Sequence, residues 1–383
     1  MNTVLEKIQE YKLYEQLILL CSREDSSKEV DEYIQKLIYN PKMNWDMFLG
    51  IVLNNRINGV VYTKIIKFDK VPKYIRFYLK TIYDEQAKRI KKHIDEIQKI
   101  NKQFSQEGIH YSFLKGAYMN TFIYKLGQRI SNDTDIMVSP EDLKKCSKIL
   151  EADGYVQGKM SKGNFYPATK KEILFARMNT YEIVPYIKLL DDEHFPYHEV
   201  DINFKLSNDE NDGISKKMLS TLIDVRNEEY SLKIMNYENF LIYLCVHLYR
   251  EATMVFKIMS GGDLTMYKFM DIHFFISKLK KEINWNKVLE YAKELRKVND
   301  VYYSLFYVEK LYPGTLDKSV LDIFKPENTD FLNQYKGRDN TNEVYTWDSD
   351  FKDRVFDSLH KLEAMKNVSQ EYERFNDILK KMK

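Results

Sequence analysis

At 383 residues, with 44% apolar side chains and only 13 Gly and 8 Pro, the chain can fill two or three cores and reads as globular and mainly helical. Its 59 Lys and Arg against 57 acidic residues leave a net charge of +2, which gives no global sign of a nucleic-acid binder. Cys21, Cys146 and Cys245 stand far apart and read as reduced core thiols of a cytoplasmic protein, with no disulfide partner and no zinc site. No apolar run is long enough to span a membrane, and Glu6, Lys7, Glu10, Lys12 and Glu15 argue against a signal-peptide core.

Taken in order, residues 3–56 read as short helices, with Leu5, Ile8, Leu13, Leu17 and Leu20 near helical spacing and a break at Pro41. A long helix is expected from Val71 to Phe104, with Tyr83, Ala87, Ile90, Ile94, Ile97 and Phe104 as its apolar stripe. Its Lys88, Arg89, Lys91, Lys92, Lys99 and Lys102 read as a solvated face, or as an attraction for an anionic substrate or RNA. Gly108 ends it. Tyr111–Leu114 then reads as a strand, Ala117–Leu126 as a helix, and Asp133–Val138 as a strand. Ser139-Pro140-Glu141-Asp142 is an N-cap and first turn for a helix to about Ala152, stopped by Gly154.

Between Tyr155 and Leu206 strands and loops are expected. Ile173–Met178 and Tyr181–Lys188 are read as a hairpin, Pro185 confining the second strand to a sheet edge. His194 and His198, near Asp191, Asp192 and Glu193, suggest a metal cluster on paper, but Pro196 disfavours the helix that would align them, so a loop is expected. Beyond Asp209 helices return. Asn236 caps one that carries His247, and Leu264–Lys280 forms another, where Lys268 and Asp271 stand one turn apart as cleft residues or as an ordinary surface ion pair. Residues 326–350 are polar and read as a long loop or linker that shapes the acceptor side. A closing helix is expected over 351–381. The organisation is thus an N-terminal helical region (1–106), an α/β core (107–208) and a C-terminal helical region (209–383).

The chemistry concentrates on two strands. Side chains alternate along a strand, so Asp133 and Asp135 point one way while Thr134, Ile136 and Val138 point the other. On His198–Leu206 the apolar face is Val200, Ile202 and Phe204, which puts Glu199, Asp201 and Asn203 together on the opposite side. Carboxylates clustered on a half-buried strand repel one another unless a hard cation such as Mg2+ lies between the oxygens, which points to metal chemistry on phosphates.

The ordered set F-L-K-G-A at Phe113–Ala117, R-x-x-x-D-x-D-I-M-V at Arg129–Val138, the S-P-E-D-L helix ending in D-G-Y, and V-D-I-N-F at Val200–Phe204 resembles a broad bacterial family of uncharacterised nucleotidyltransferases within the polymerase-beta-like superfamily. The resemblance spans about residues 70–280. It implies an α+β fold, a small mixed sheet with helices, flanked by helical regions. It also implies transfer of a nucleoside monophosphate from an NTP, expected to be ATP, to an acceptor that is a small molecule, a protein or RNA, with release of pyrophosphate. Asp133, Asp135 and Asp201 would be catalytic and would hold Mg2+ or Mn2+, with Glu199 in reserve for the third place. Lys115, Gly116, Arg129 and Lys268 would meet the nucleotide, and His247 would line the cleft. Arg129 reads equally as a partner of a nearby acid. The family's usual serine at the glycine turn is replaced by Lys115-Gly116, which keeps open a second reading: a nucleotide-binding or interaction module that has lost turnover.

Overall fold

A computed structural model describes residues 3–206, 213–337, 343–357 and 359–367. They fall into two units: Met1–Ile57 with Leu244–Ser277 and Trp285–Lys383, and Asn58–Tyr243 with Lys278–Asn284. We call them the helical unit and the sheet unit.

The sheet unit is built along one helix, Lys73–Gln106. Pro72, with its fixed φ, stands at its cap, and Gly108 at φ 64° turns the chain at its end. Ile75, Leu79, Ile90, Ile94, Ile97, Ile100 and Phe104 recur at helical spacing and are buried. Tyr83 and Ala87 are only half-buried, and Gln86, His93 and Glu96 take inward places that the apolar pattern did not assign. The basic face is matched by acids: Lys88 with Glu85 (2.8 Å), Lys91 with Asp95 (3.0 Å) and Lys92 with Asp192 (3.2 Å). Such exposed pairs contribute little to stability and describe a solvated surface.

The sheet has six strands: β1 (Tyr111–Phe113), β2 (Thr134–Val138), β3 (Val156–Ser161), β4 (Asn164–Pro167), β5 (Tyr186–Leu189) and β6 (Tyr197–Asn203), in the order β1-β2-β6-β5-β3-β4. β2 and β6 run parallel and the other neighbours antiparallel, so the sheet is mixed. Helix Leu143–Ala152 crosses from β2 to β3, buries Leu143, Cys146 and Leu150, and ends before Gly154 at φ 87°. The α+β class with a small mixed sheet is the one observed.

Several local expectations are corrected. Residues Lys170–Asn179 form a helix where a hairpin strand was expected. Thr169 Oγ1 accepts from Glu172 N, and the Glu172 carboxylate accepts from Thr169 N, a reciprocal cap that overrides the β-prone Ile-Leu-Phe run. Pro185 lies just before β5, where a missing N–H costs the ladder nothing, and β5 is an interior strand between β6 and β3. The helix after β1 is one turn, Lys115–Tyr118, followed by a π-helical turn at Met119–Ile123. Ser139 makes no side-chain cap bond, and Pro140–Asp142 is a 3-10 turn. Past the core, β7 (Leu222–Arg226) and β8 (Ser231–Met235) pair where only helices were expected.

The helical unit contains Leu13–Cys21, Lys28–Ile38, Trp45–Asn54, Met266–Lys278, Trp285–Glu294 and Val298–Leu311. The described part of residues 326–350 is not a plain loop, since β9 (Gln334–Lys336) pairs with β10 (Val344–Thr346); residues 338–342 of that expected loop lie outside the described residues. Tyr335 and Trp347 are buried there in a cluster with Val255, Ile258 and Ala364. The closing helix is broken into Phe351–Phe356 and Lys361–Asn367. Its expected continuation beyond 367 lies outside the described residues, as does the expected boundary at 208/209. Cys21, Cys146 and Cys245 are buried free thiols. Among the described residues no helix is long and apolar enough to cross a membrane.

Candidate functional site

Three strands set the site's geometry. β1 pairs antiparallel with β2, Phe113 opposite Ile136, and the ladder ends with Leu114 N–H donating to Asp135 O at 3.0 Å. β2 pairs in parallel with β6, and the register places Asp135 beside Asp201. Neighbouring strands lie roughly 4.8 Å apart, so the two side chains leave the same sheet face close together. Asp133, immediately before β2, has the same parity. The opposite face is buried, with Ile136, Val138, Val200 and Ile202 fully enclosed. The expected alternation on both strands is therefore observed, with β2 beginning one residue later than expected.

Asp133 and Asp201 keep some exposed surface, yet protein encloses them on most sides. Burial pushes the Asp201 carboxyl well above the usual range, helped by the charges of Asp135, Asp133, Glu182 and Glu199. Asp133 is raised by burial and by Asp135, against the opposing pull of Lys115 and Arg129. Glu199, on the same face of β6 as Asp201, is raised by burial and then by Asp133 and Asp135. The face thus carries more negative charge than its surroundings neutralise. Glu182, bridged to Asn203 on β6, is a member that sequence reasoning missed. No group of three His, Cys, Asp or Glu side chains converges as a ready-made metal site among the described residues.

Lys115 is the cation at this face. Its Nζ donates to Asp135 Oδ1 at 2.9 Å. Burial works to lower the Lys115 pKa, but the negative charges of Asp135 and Asp133, with the hydrogen bond to Asp135, outweigh it and hold the ammonium well above its ordinary range. The residue sits at φ 36°, in the left-handed region that a side-chain-bearing residue enters only when its surroundings hold it there. Gly116 follows for a steric reason. A Cβ there would lie 1.8 Å from Ser131 Oγ and 2.9 Å from an Arg129 guanidinium nitrogen. Arg129 donates to Ser131 Oγ (2.7 Å) and to Ile130 O (3.2 Å), and its charge acts on Asp133. A serine hydroxyl thus reaches the glycine turn from 15 positions later in the chain. Gly116 lies inside the one-turn helix Lys115–Tyr118, too short to offer much of a helix dipole to a phosphate.

Behind the aspartates runs a buried polar chain that sequence reasoning did not find. Thr134 Oγ1 lies 2.7 Å from His93 Nε2 and 2.8 Å from His198 Nε2, and His198 Nδ1 lies 2.7 Å from the Tyr155 hydroxyl. His93 Nδ1 is buried without a hydrogen-bond partner. An unpaired acceptor costs less than an unpaired N–H, which assigns the proton of His93 to Nε2, donating to Thr134. Thr134 then donates to His198 Nε2, and His198 Nδ1–H donates to Tyr155. Burial, and then nearby positive charge, keep both imidazoles neutral: His93 is lowered to about 3, and His198 is well below its ordinary value. The only sequence signal was a histidine on each inward face.

The remaining candidates have partners of their own. Lys268 belongs to the helical unit, where it is buried, ion-paired with Glu251 and donating to Gly262 O. Asp271 is also buried, so the expected surface pair of these two is not found. His247, half-buried, lies 3.5 Å from Glu251. His194 pairs with Glu85 (2.8 Å) and Glu193 (3.0 Å) in its loop, while His198 points into the core, so the two histidines share no site.

Over residues 41–313 the sequence matches the family described as uncharacterised nucleotidyltransferase. The chain belongs to this family. Among solved structures, a crystal structure of an antigenic nucleotidyltransferase-like protein from Paracoccidioides brasiliensis aligns with a TM-score of 0.36 at 13% identity, covering 61% of this chain and 93% of that one. No curated protein matches the sequence. The family match covers the whole of the sheet and both aspartate strands.

Proposed function

We propose that the sheet unit of this family member moves a nucleoside monophosphate from an NTP, ATP being the expected donor, to an acceptor, with pyrophosphate leaving. The observation that carries this reading is the β2–β6 register, which sets Asp135 beside Asp201 with Asp133 at the strand's start. Hard oxygen donors with raised proton affinity, crowded on one face, fit a hard divalent cation. Asp133, Asp135 and Asp201 would hold Mg2+ or Mn2+, which when bound neutralises triphosphate charge and acidifies an acceptor hydroxyl. Lys115 and Arg129 add positive charge for the phosphates. Asp201, through the cation it would hold, would position the acceptor and lower its pKa, and Glu199 stands next to it on the same strand face. Lys268 is committed to Glu251 and is given no role. The buried thiols suit a cytoplasmic setting.

Incubating the full chain with α-labelled ATP and Mg2+ in the presence of a cell extract should yield a labelled acceptor and free pyrophosphate. Asp133→Ala and Asp135→Ala should abolish both. Label transfer that persists in both variants would refute the assignment. The Lys115–Asp135 pair favours a second reading, a nucleotide-binding module without turnover. That module would bind ATP without needing a divalent ion and would transfer no label.

A further inference from the structure

We propose that Lys115 is an exchangeable counter-ion: it pairs with Asp135 in the metal-free protein and gives up that carboxylate when a divalent cation binds. The inference rests on the metal-dependent reading of the site. Lys115 Nζ, 2.9 Å from Asp135 Oδ1, takes up the carboxylate oxygen that a cation would need. An ammonium and a divalent ion on one oxygen repel strongly in an enclosed site, so the two are alternatives.

The surroundings allow the side chain to move and hold the backbone still. Leu114 is tied to β2 by its N–H to Asp135 O at 3.0 Å, and Gly116 has no room to shift toward Ser131. Exchange therefore takes place by rotation of the four-carbon stem, the flexibility that distinguishes lysine from arginine. The Tyr243 ring, 6.0 Å from Nζ, offers a second resting place, and the phosphates of an incoming nucleotide offer a third. Asp133, Asp201, Glu199 and Glu182 face the same space, so removing the ammonium leaves the carboxylates short of positive charge. Lys115 is a positioning residue in this scheme, and its effect is read on metal binding.

The test is titration of the full-length protein with Mn2+ by calorimetry, without nucleotide, for wild type, Lys115→Met and Lys115→Arg. Lys115→Met should bind Mn2+ about tenfold or more tightly than wild type, because a competing charge is gone. Lys115→Arg should bind more weakly than wild type, because a guanidinium grips a carboxylate through two hydrogen bonds. Lys115→Met should also melt below wild type without metal and recover when Mn2+ is added. Equal Mn2+ affinity in wild type and Lys115→Met overturns the exchange while leaving the metal site standing. Should Lys115→Met fail to fold, Lys115→Arg decides, and equal or tighter binding there overturns the proposal. Absence of Mn2+ binding in every folded variant refutes the metal-dependent reading itself, and the exchange with it.

Discussion

Asp201, a proposed metal ligand, is held at a cost in stability. Its carboxyl binds a proton more tightly folded than unfolded, so its charge destabilises the metal-free protein at neutral pH. That cost is relieved as the pH falls through the raised folded-state pKa. Asp201→Asn should therefore stabilise the metal-free protein by on the order of 1 kcal/mol. For a unit of this size the melting temperature should rise by roughly 2–4 °C, with label transfer abolished. A lower melting temperature would contradict the electrostatic account. At Gly116 the constraint is steric: a Cβ placed 1.8 Å from Ser131 Oγ forces a shift, and Gly116→Ala should cost about 1–3 kcal/mol in urea denaturation. Gly116→Ala with Ser131→Gly should recover part of that loss. The aspartates were legible in the sequence because alternation along a strand is strict. The Gly116–Ser131 contact was not, because it depends on β1 folding back against β2 and bringing together residues with no periodic relation.

At the level of elements, the strands that carry the aspartates are fixed from behind by the His93, Thr134, His198 and Tyr155 chain. Thr134→Val keeps the shape and removes the hydroxyl, leaving both imidazole nitrogens unpaired, which should cost about 2–4 kcal/mol. The chain also gives a signed pH dependence. Both imidazoles have folded-state pKa values below the unfolded one, so their stabilising effect is complete above roughly pH 6.5 and is lost as the pH falls toward about 3, the value for His93. Arg89, Arg129, Lys188 and Lys99 add positive charge around them and reinforce this sign, whereas Asp133, Asp201 and Glu199 act in the opposite direction. The difference between variants isolates it: urea midpoints measured between pH 7.5 and 5.5 should fall less steeply for His93→Leu than for wild type, and parallel slopes would exclude this role. Elements with one strong period, such as Lys73–Gln106 and β6, could be read from sequence. Lys170–Asn179 could not, because its residues favour strand by propensity and its helix is set by the Thr169–Glu172 cap. That helix has no buried residue, so no apolar periodicity marked it.

For the whole molecule, the C-terminal hairpin changes how the acceptor question must be approached. Residues 326–350 had suggested a removable loop, but Tyr335 and Trp347 are core residues of the helical unit. Trp347→Ala should destabilise that unit by about 3–5 kcal/mol, so deletion of the segment would confuse folding with acceptor choice. The near-balanced charge of +2 and the paired lysines of the long helix give no electrostatic preference for long nucleic acid. In the proposed reading, the parallel register of β2 and β6 builds a divalent-dependent nucleotide site. Calorimetric titration with a nonhydrolysable ATP analogue, with and without Mg2+, tests it in wild type and in folded Asp135→Asn and Asp201→Asn. Tight binding is expected only for wild type with Mg2+; binding of equal strength without Mg2+, or unchanged in the two variants, would contradict a divalent-dependent site.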